Sequence, residues 1–315
     1  MFGLQIAERY YGFYGSQMIS EKFPDYEKRI AVGLVGEGSD CFVFDDEISR
    51  DHDWGPGFCI WLNKNDYDEI GVLLNREYEK LPKTFAGIEP RKETPNGSWR
   101  TGVIEINSFY KRFTGLDEPP STLLEWLNIP ENNLAACTNG KVFRDDFGEF
   151  SFYRNKLLEY YPEDVRLKKI ALRCIVIGRE GEYNVARCIK RKDFVAAFHS
   201  FSLFSEAVMS LTYLLNYTYM PYYKWMHKGL LKLPILGIRV NNLIQQLLVY
   251  NSREGNENYY ANKVELINII CSYLVDELNK QQLSDSKSNF LLDHVESIQN
   301  KISDDSLRNY NSLIQ

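Results

Sequence analysis

The sequence has no pair of cysteines at CxxC spacing. Its six cysteines are scattered, so they signal neither a zinc site nor a small disulfide framework, and we expect reduced thiols. It also has no excess of positive charge, because 37 Lys and Arg face 43 Asp and Glu for a net charge of -6. A nucleic-acid-binding protein usually shows a basic domain or stripe. Nucleic acid is therefore not an expected partner, and a cationic or neutral partner fits better.

Long apolar runs are missing as well. No uninterrupted apolar segment approaches about 18 residues, and the first residues lack the basic, apolar and small-residue pattern of a signal peptide. We therefore expect a cytoplasmic protein with no membrane partner. Hydrophobic residues make up 44% and charged residues 25%, the balance of a folded chain, and 315 residues are enough for two domains of about 100 to 200 each.

The spacing of apolar residues predicts an α+β fold, with a mixed sheet and flanking helices followed by a helical bundle. A segment of hairpin or loop chemistry, GKVFRDDFGEF, is expected to connect the two parts. The predicted helices cover residues 3–22, 65–82 and 119–127, and the predicted strands cover 30–35, 51–62 and 99–106.

We expect three regions along the chain. They are a catalytic domain over 1–148, a helical domain over 149–283 that closes the nucleotide and acceptor cleft, and a polar helical tail over 284–315.

Two carboxylates, Asp51 and Asp53, carry the main chemical prediction. Side chains two apart on a strand point to one face, so the pair could hold Mg²⁺, which prefers a few carboxylates together with phosphate and water oxygens. Gly38 and Ser39 follow the first predicted strand and offer backbone amides and a hydroxyl to a triphosphate. Glu105, in the strand VIEIN, could complete the site as a third acid.

These residues resemble the nucleotidyltransferase superfamily, which includes DNA polymerase beta-like enzymes and aminoglycoside nucleotidyltransferases. The longer string DDEISRDHDWGP, with GS before it and the segment MPYYKW at 220–225, resembles an uncharacterised family of predicted nucleotidyltransferases, a domain of unknown function. The resemblance covers roughly residues 5 to 235.

The resemblance implies a mixed-sheet catalytic domain followed by a helical domain, dependence on Mg²⁺, and ATP or another nucleoside triphosphate as donor. The superfamily's third acid maps to Glu105, with Asp40 or Asp46 as alternatives. In related two-domain transferases a basic residue of the helical domain reaches the triphosphate, which suggests Lys224, and the neighbouring Tyr223 could stack on the base.

The predicted function is thus the transfer of a nucleoside monophosphate, AMP from ATP, to a hydroxyl group with release of pyrophosphate. Asp51, Asp53 and Glu105 are the expected catalytic and metal-binding residues. The acceptor is expected to be a small molecule, cationic as an aminoglycoside is, or a protein. The alternative is a regulatory or interaction module of the same fold that binds a nucleotide without turning it over.

Overall fold

A computed structural model describes residues 2–92, 94, 99–249 and 257–310 of the chain. The chain divides into two compact units. The first unit comprises residues 1–121 and 129–160, and the second comprises 122–128 and 161–315. The main division therefore follows residue 160, one helix later than the expected boundary at 148.

Among the described residues, four short strands form one sheet in the order β3-β2-β1-β4. β2 and β3 are parallel, whereas β1 is antiparallel to both β2 and β4. The strands are β1 (Ala31–Leu34), β2 (Cys59–Leu62), β3 (Gly102–Glu105) and β4 (Lys141–Arg144).

Helices flank this sheet and make up the second unit. Up to residue 160 they are α1 (Gly3–Tyr10), α2 (Ser16–Lys22), α3 (Lys64–Glu79), α4 (Ile106–Thr114), α5 (Leu123–Asn128), α6 (Glu131–Thr138) and α7 (Glu149–Leu158), of which α5 belongs to the second unit. Beyond it they are α8 (Glu163–Val176), α9 (Ala186–Lys190), α10 (Phe194–Leu215), α11 (Tyr223–Gly229), α12 (Gly237–Val249), α13 (Glu257–Lys280), α14 (Val295–Gln299) and α15 (Asp305–Asn309).

This architecture confirms the predicted fold class, an α+β protein with a mixed sheet, flanking helices and a helical C-terminal part. The predicted opening helix is present as α1 and α2, joined by the π-helical turn Tyr11–Gly15. β1 and β2 are buried along their whole length, as expected of short apolar runs at the centre of a sheet.

Two predictions about strands were wrong. β2 begins at Cys59, so residues 51–58 lie in a loop, where Gly55 with φ +129° and the neighbouring Pro56 favour a bend over an extended strand. The segment GKVFRDDFGEF does not connect the units. Its residues 141–144 form β4, which pairs with β1, and a turn ending at Gly148 leads into α7.

Aromatic packing holds the first unit together beneath the sheet. Trp61 of β2 is fully buried and stacks on Phe150 of α7 with ring centroids 3.8 Å apart, and it meets Phe109 of α4 edge to face. Tyr110 stacks on Tyr153 at 3.9 Å. The abundant aromatic residues of the sequence therefore serve, in this unit, mainly as core.

The second unit is a helical bundle that includes the described part of the predicted tail. Ile298 and Ile302 are buried, and the backbone N–H groups of Ser303 and Asp304 donate to the carboxylate of Asp164 at 3.0 and 2.9 Å. The tail segment up to residue 310 is thus packed on α8. α10 is long and apolar enough to cross a membrane, and half of its most apolar window is buried inside the unit.

Candidate active site at the loop end of the sheet

The strand register brings four strand ends together. Leu34 at the end of β1 pairs with Lys141 at the start of β4, and Gly33 pairs with Cys59 at the start of β2. Cys59 in turn pairs with Gly102 at the start of β3. We call this edge, where β1 ends and the other strands begin, the loop end of the sheet. The loop 35–58 and the described residues of the segment 80–101 both meet it.

Residues 36–39 form the turn that leaves β1. The side-chain amide of Asn139 holds this turn, because its oxygen accepts from the N–H of Gly36 at 3.0 Å and its nitrogen donates to the Gly36 carbonyl at 2.7 Å. Position 38 favours glycine for steric reasons, since a Cβ there would lie 2.0 Å from Oδ1 of Asp40. The predicted phosphate-binding pair Gly38 and Ser39 is thus held in a tight, buried turn.

Two buried acids stabilise the loop from within. The Asp40 carboxylate accepts from the Cys41 N–H at 2.9 Å, and its Oδ2 lies 3.4 Å from Arg91. Asp45 accepts from the Gly3 N–H at 2.8 Å and from the Trp54 indole at 2.9 Å. Both carboxylates bond to protein donors and so shape the loop, and of the alternatives considered for a third acid only Asp40 lies in this buried core.

Asp53 is buried at the loop end of the sheet. Its Oδ1 accepts from the Thr94 N–H at 3.0 Å, its Oδ2 accepts from the Thr94 hydroxyl at 2.7 Å, and Oδ2 lies 3.4 Å from Arg100. Burial opposes ionisation, but the two Thr94 hydrogen bonds and the charges of Arg100 and Arg91 outweigh it, so the pKa of Asp53 lies below its ordinary value. Asp53 is therefore an ionised carboxylate.

Asp51 has a different setting, although it is only two residues away. Its side chain is 64% exposed, and its Oδ1 lies 2.9 Å from the His52 ring and accepts from the His52 N–H. The hydrogen bond from His52 lowers the pKa of Asp51. Because residues 51–53 lie in a bend, and Asp53 has φ +49°, the prediction that the two carboxylates share a strand face was wrong.

Glu105 lies at the opposite end of β3. It pairs with Leu62, three residues beyond the Gly102–Cys59 pair, which is about 10 Å along the strands from the loop end of the sheet. Its two carboxylate oxygens accept from the N–H groups of Asn107 and Ser108, at 2.8 and 2.6 Å, and so cap α4. Sequence patterns could not separate this capping role from that of a third acid.

The fit of Mg²⁺ to these carboxylates can be tested on their partners. Asp53 and Glu105 each have both oxygens bonded to protein donors, and Asp51 is bonded to His52. Throughout residues 2–92, 94, 99–249 and 257–310, no group of three or more His, Cys, Asp and Glu is placed to hold a metal ion. In this arrangement the three acids do not fit a shared magnesium site.

Tyr223 and Lys224 begin α11 in the second unit. Tyr223 is 60% exposed, and its ring lies 4.3 Å from that of Tyr222. They belong to a different unit from Gly38, Ser39 and Asp53.

Two arginines complete the loop end of the sheet and were missed by sequence reasoning. The Arg91 side chain is only 5% exposed and lies 3.4 Å from Asp40, while Arg100 lies 3.4 Å from Asp53 and 3.8 Å from Glu37. The Nε atoms of both guanidinium groups are buried and have no hydrogen-bond partner in the described part of the chain. The two arginines flank a segment that is rich in turn-forming residues and has no periodic pattern of apolar residues. No sequence signal therefore marked them.

Comparisons with known proteins give two matches. A family described as a domain of unknown function (DUF4037) matches residues 126–226, a span that includes the segment MPYYKW but not DDEISRDHDWGP. The crystal structure of a nucleotidyltransferase-like protein from Exiguobacterium sibiricum 255-15 is similar over 91% of this chain and 90% of that chain, with 10% sequence identity and a TM-score of 0.38. No curated protein matches the chain.

Proposed function

We propose that this protein is a nucleotidyltransferase that moves a nucleoside monophosphate, AMP from ATP, to a hydroxyl group of a small molecule or a protein. The acceptor oxygen bonds to the α-phosphorus, the bond from that phosphorus to the bridging oxygen breaks, and pyrophosphate leaves with the electron pair. The acceptor proton passes to solvent. The cytoplasm remains the expected location.

One observation supports this proposal above the others. The tight turn with Gly38 and Ser39, the ionised carboxylate of Asp53 and the guanidinium groups of Arg91 and Arg100 all lie at the loop end of the sheet. A turn with backbone donors, a pair of planar cations and an acid form a set suited to binding a triphosphate beside a hydroxyl.

The triphosphate side consists of the turn and the arginines. Ser39 is half-buried and offers its hydroxyl, and Gly38 lets a phosphate approach the backbone closely. Among the described residues, the ion pairs of Arg91 and Arg100 are long, at 3.4 to 3.8 Å, so we propose that their charge serves phosphate oxygens. These donors would stabilise the charge that moves onto pyrophosphate as it leaves.

The acceptor side centres on Asp53. In this structure its Oδ2 already accepts a hydrogen bond from a hydroxyl group, that of Thr94, at 2.7 Å. We propose that the acceptor hydroxyl takes this position. Since the lowered pKa of Asp53 makes it a weak base, its contribution is to orient the hydroxyl rather than to hold the proton.

Magnesium enters this proposal as part of the donor, the magnesium complex of ATP. Binding of the ion by Asp51 and Asp53 stays a prediction, and it would require Asp53 to exchange its Thr94 and Arg100 partners. A role for Glu105 in that site stays a prediction that would require α4 to lose its cap. The proposed contacts of Tyr223 with the base and of Lys224 with phosphate rest on the resemblance alone.

The alternative function is a nucleotide-binding module that does not turn over. The partners of the buried Asp53 carboxylate favour it, because a carboxylate bonded to Thr94 and Arg100 stabilises the loop without chemistry. The two functions differ in their need for an acceptor. A nucleotidyltransferase needs an acceptor molecule, and a nucleotide-binding module does not.

The test uses the full chain with α-labelled ATP, Mg²⁺ and panels of aminoglycosides, other hydroxyl compounds and proteins. We expect label to appear on an acceptor with stoichiometric pyrophosphate, and Asp53→Asn to lower the rate at least about a hundredfold. Asp25→Asn is the matched control, because Asp25 is an exposed acid of the same unit. Tight ATP binding without transfer would favour the module, and absence of ATP binding would reject both.

Arg100→Ala examines the phosphate side separately. We expect it to raise the KM for ATP more than it lowers kcat, because Arg100 is proposed to bind the ground-state triphosphate as well. An unchanged KM would remove Arg100 from the donor site while leaving Asp53 in place.

A further inference from the structure

The end of α9 and the turn that leads from it into α10 are strongly basic. Arg187, Lys190, Arg191 and Lys192 supply four positive charges within six residues, and all four side chains are exposed. Lys192 has φ +60°, a conformation that turns the chain sharply before α10 begins. The chain as a whole carries a net charge of -6, so this concentration is not a general property of the surface.

Exposed apolar side chains follow on the first turns of α10. Val195 is 82% exposed and Phe198 is 71% exposed, and Phe194 beside them is 47% exposed. Positions 194, 195 and 198 share one side of a helix, whereas Ala197 and Phe201 are buried in the unit. We call residues 187–198 the basic corner.

The basic corner combines two features that are each unfavourable in water. Large apolar groups cost free energy when they are held in water, and a cluster of like charges repels itself. An anionic partner with an apolar interior would relieve both effects. From this charge complementarity, and independently of the nucleotidyl-transfer proposal, we propose that the basic corner docks the protein on a membrane surface rich in anionic phospholipids.

The two components have separate roles in such docking. Lys and Arg side chains are attracted to anionic headgroups within a Debye length, and aromatic and aliphatic side chains insert at the boundary of the acyl chains. Arg187 contributes through its position over the Tyr183 ring, 4.5 Å from its centroid, which pairs a cation with a half-exposed aromatic group. No membrane partner was expected from the sequence, so this proposal differs from that expectation.

A lipid surface fits the apolar groups better than nucleic acid does. Single-stranded RNA binds through flat aromatic rings that stack on bases. The most exposed apolar side chain of the basic corner is Val195, which has no ring to offer. Insertion at the acyl boundary depends on buried apolar area, to which Val195 contributes as well as the two phenylalanines, so the composition of the patch favours lipid.

The experiment is co-sedimentation of the full chain with vesicles. One set contains equal parts phosphatidylcholine and phosphatidylserine, and the other contains phosphatidylcholine alone. We expect binding to the anionic vesicles only, and we expect it to weaken as salt rises because exposed charges are screened.

Two variants separate charge from insertion. Reversal of three charges, Lys190→Glu, Arg191→Glu and Lys192→Glu together, should weaken binding to anionic vesicles at least about a hundredfold. Val195→Ser with Phe198→Ser should weaken it about tenfold and leave the salt dependence intact.

Matched controls come from the first unit. Lys22→Glu, Lys28→Glu and Lys83→Glu together change the net charge of the chain equally, and Val72→Ser with Leu73→Ser removes a comparable pair of exposed apolar residues. Both control variants should bind as the wild type does. All the substituted side chains are exposed, and circular dichroism verifies that each variant is folded.

Three results would overturn the proposal. They are equal binding to neutral and anionic vesicles, loss of binding in the control variants as large as in the basic-corner variants, and no sedimentation with either vesicle set. Binding of single-stranded RNA through the same three basic residues, without vesicle binding, would assign the basic corner to nucleic acid instead.

Discussion

The two units bury charged side chains in different ways. In the second unit, Arg166 is fully buried on α8, and its guanidinium donates to the Leu214 carbonyl at 3.0 Å, to Gln281 at 2.9 Å and to Glu163 at 2.7 Å. In the first unit, Arg91 is almost as buried but has one ion pair at 3.4 Å, and its Nε has no partner in the described residues.

This difference separates charges that hold the fold together from charges that the proposed nucleotide site could use. A buried charge with short bonds to several fixed partners ties helices together, as Arg166 and Lys168 do, the latter donating to the Arg308 carbonyl at 2.9 Å. A buried charge with long and incomplete partners retains bonding capacity for a ligand. The loop end of the sheet has this second character, since one buried oxygen of Asp45 and the buried Nε of Arg100 also have no hydrogen-bond partner among the residues that the structure describes.

The largest effect should come from Arg166. Arg166→Met removes the donor to the Leu214 carbonyl and to Gln281, so we expect the second unit to lose about 3 kcal/mol of unfolding free energy. Urea denaturation with hydrogen exchange of α8 and α10 measures it. Arg187→Met, at an exposed position, is the control and should change stability by less than about 0.5 kcal/mol. A small effect for Arg166 would break the distinction between the two units.

The next effect should come from the turn after β1. Gly38→Ala places a methyl group 2.0 Å from the Asp40 carboxylate, so we expect a loss of about 2 kcal/mol together with weaker ATP binding. Gly12→Ala is the control, since nothing lies within 4 Å of a Cβ there, and it should be neutral or stabilising by up to about 1 kcal/mol. Equal behaviour of the two variants, by thermal denaturation, would contradict the close packing of the turn.

A smaller effect concerns pH. The pKa of Asp53 is lower in the folded than in the unfolded chain, so its ionised form stabilises the fold above the unfolded value of about 4, and this contribution is lost as pH falls through the folded value. The unfolding free energy of the wild type should exceed that of Asp53→Asn by about 1 to 2 kcal/mol at neutral pH. This difference should shrink below about pH 4.

Asp25→Asn is the control for this measurement, because Asp25 is an exposed acid of the same unit. The unfolding free energy of this variant should follow that of the wild type from pH 7 down to about pH 4. If the unfolding free energy of Asp53→Asn stays a constant amount below that of the wild type at every pH, Asp53 is not the ionised group described above.

The smallest effect on stability should come from modifying the thiols. Five cysteines are buried, three in the first unit and two in the second, and Cys188 alone is half-buried. Burial raises the pKa of Cys59 and Cys137 to about 12. A thiol reagent should modify Cys188 quickly in the native protein without unfolding it, and Cys188→Ser should abolish the fast phase. Fast reaction of several thiols would mean that the cores are open.

Regular elements could be predicted from the sequence more accurately than irregular ones. Apolar periodicity identified α3 and β1 within a few residues, because these elements bury one face over several turns or lie at the centre of the sheet. β4 was missed, since its residues are half-buried or exposed and the turn signal of the following Asp-Asp-Phe-Gly dominated the segment. The first compact unit extends to residue 160, beyond the predicted boundary at 148, because the helical pattern of α7 does not tell which core that helix joins.

For the candidate site, the sequence by itself determined residue types and neighbours: a Gly-Ser turn after a buried strand, two aspartates two apart, and an acid at the end of β3. It could not determine that Asp53 is buried against Thr94 and Arg100 while Asp51 faces solvent, or that Glu105 caps α4. The setting of the two aspartates depends on which loops meet at the loop end of the sheet, and the role of Glu105 depends on where β3 ends and α4 begins. Contacts between residues forty or more positions apart are set by strand register and packing, which no local pattern encodes.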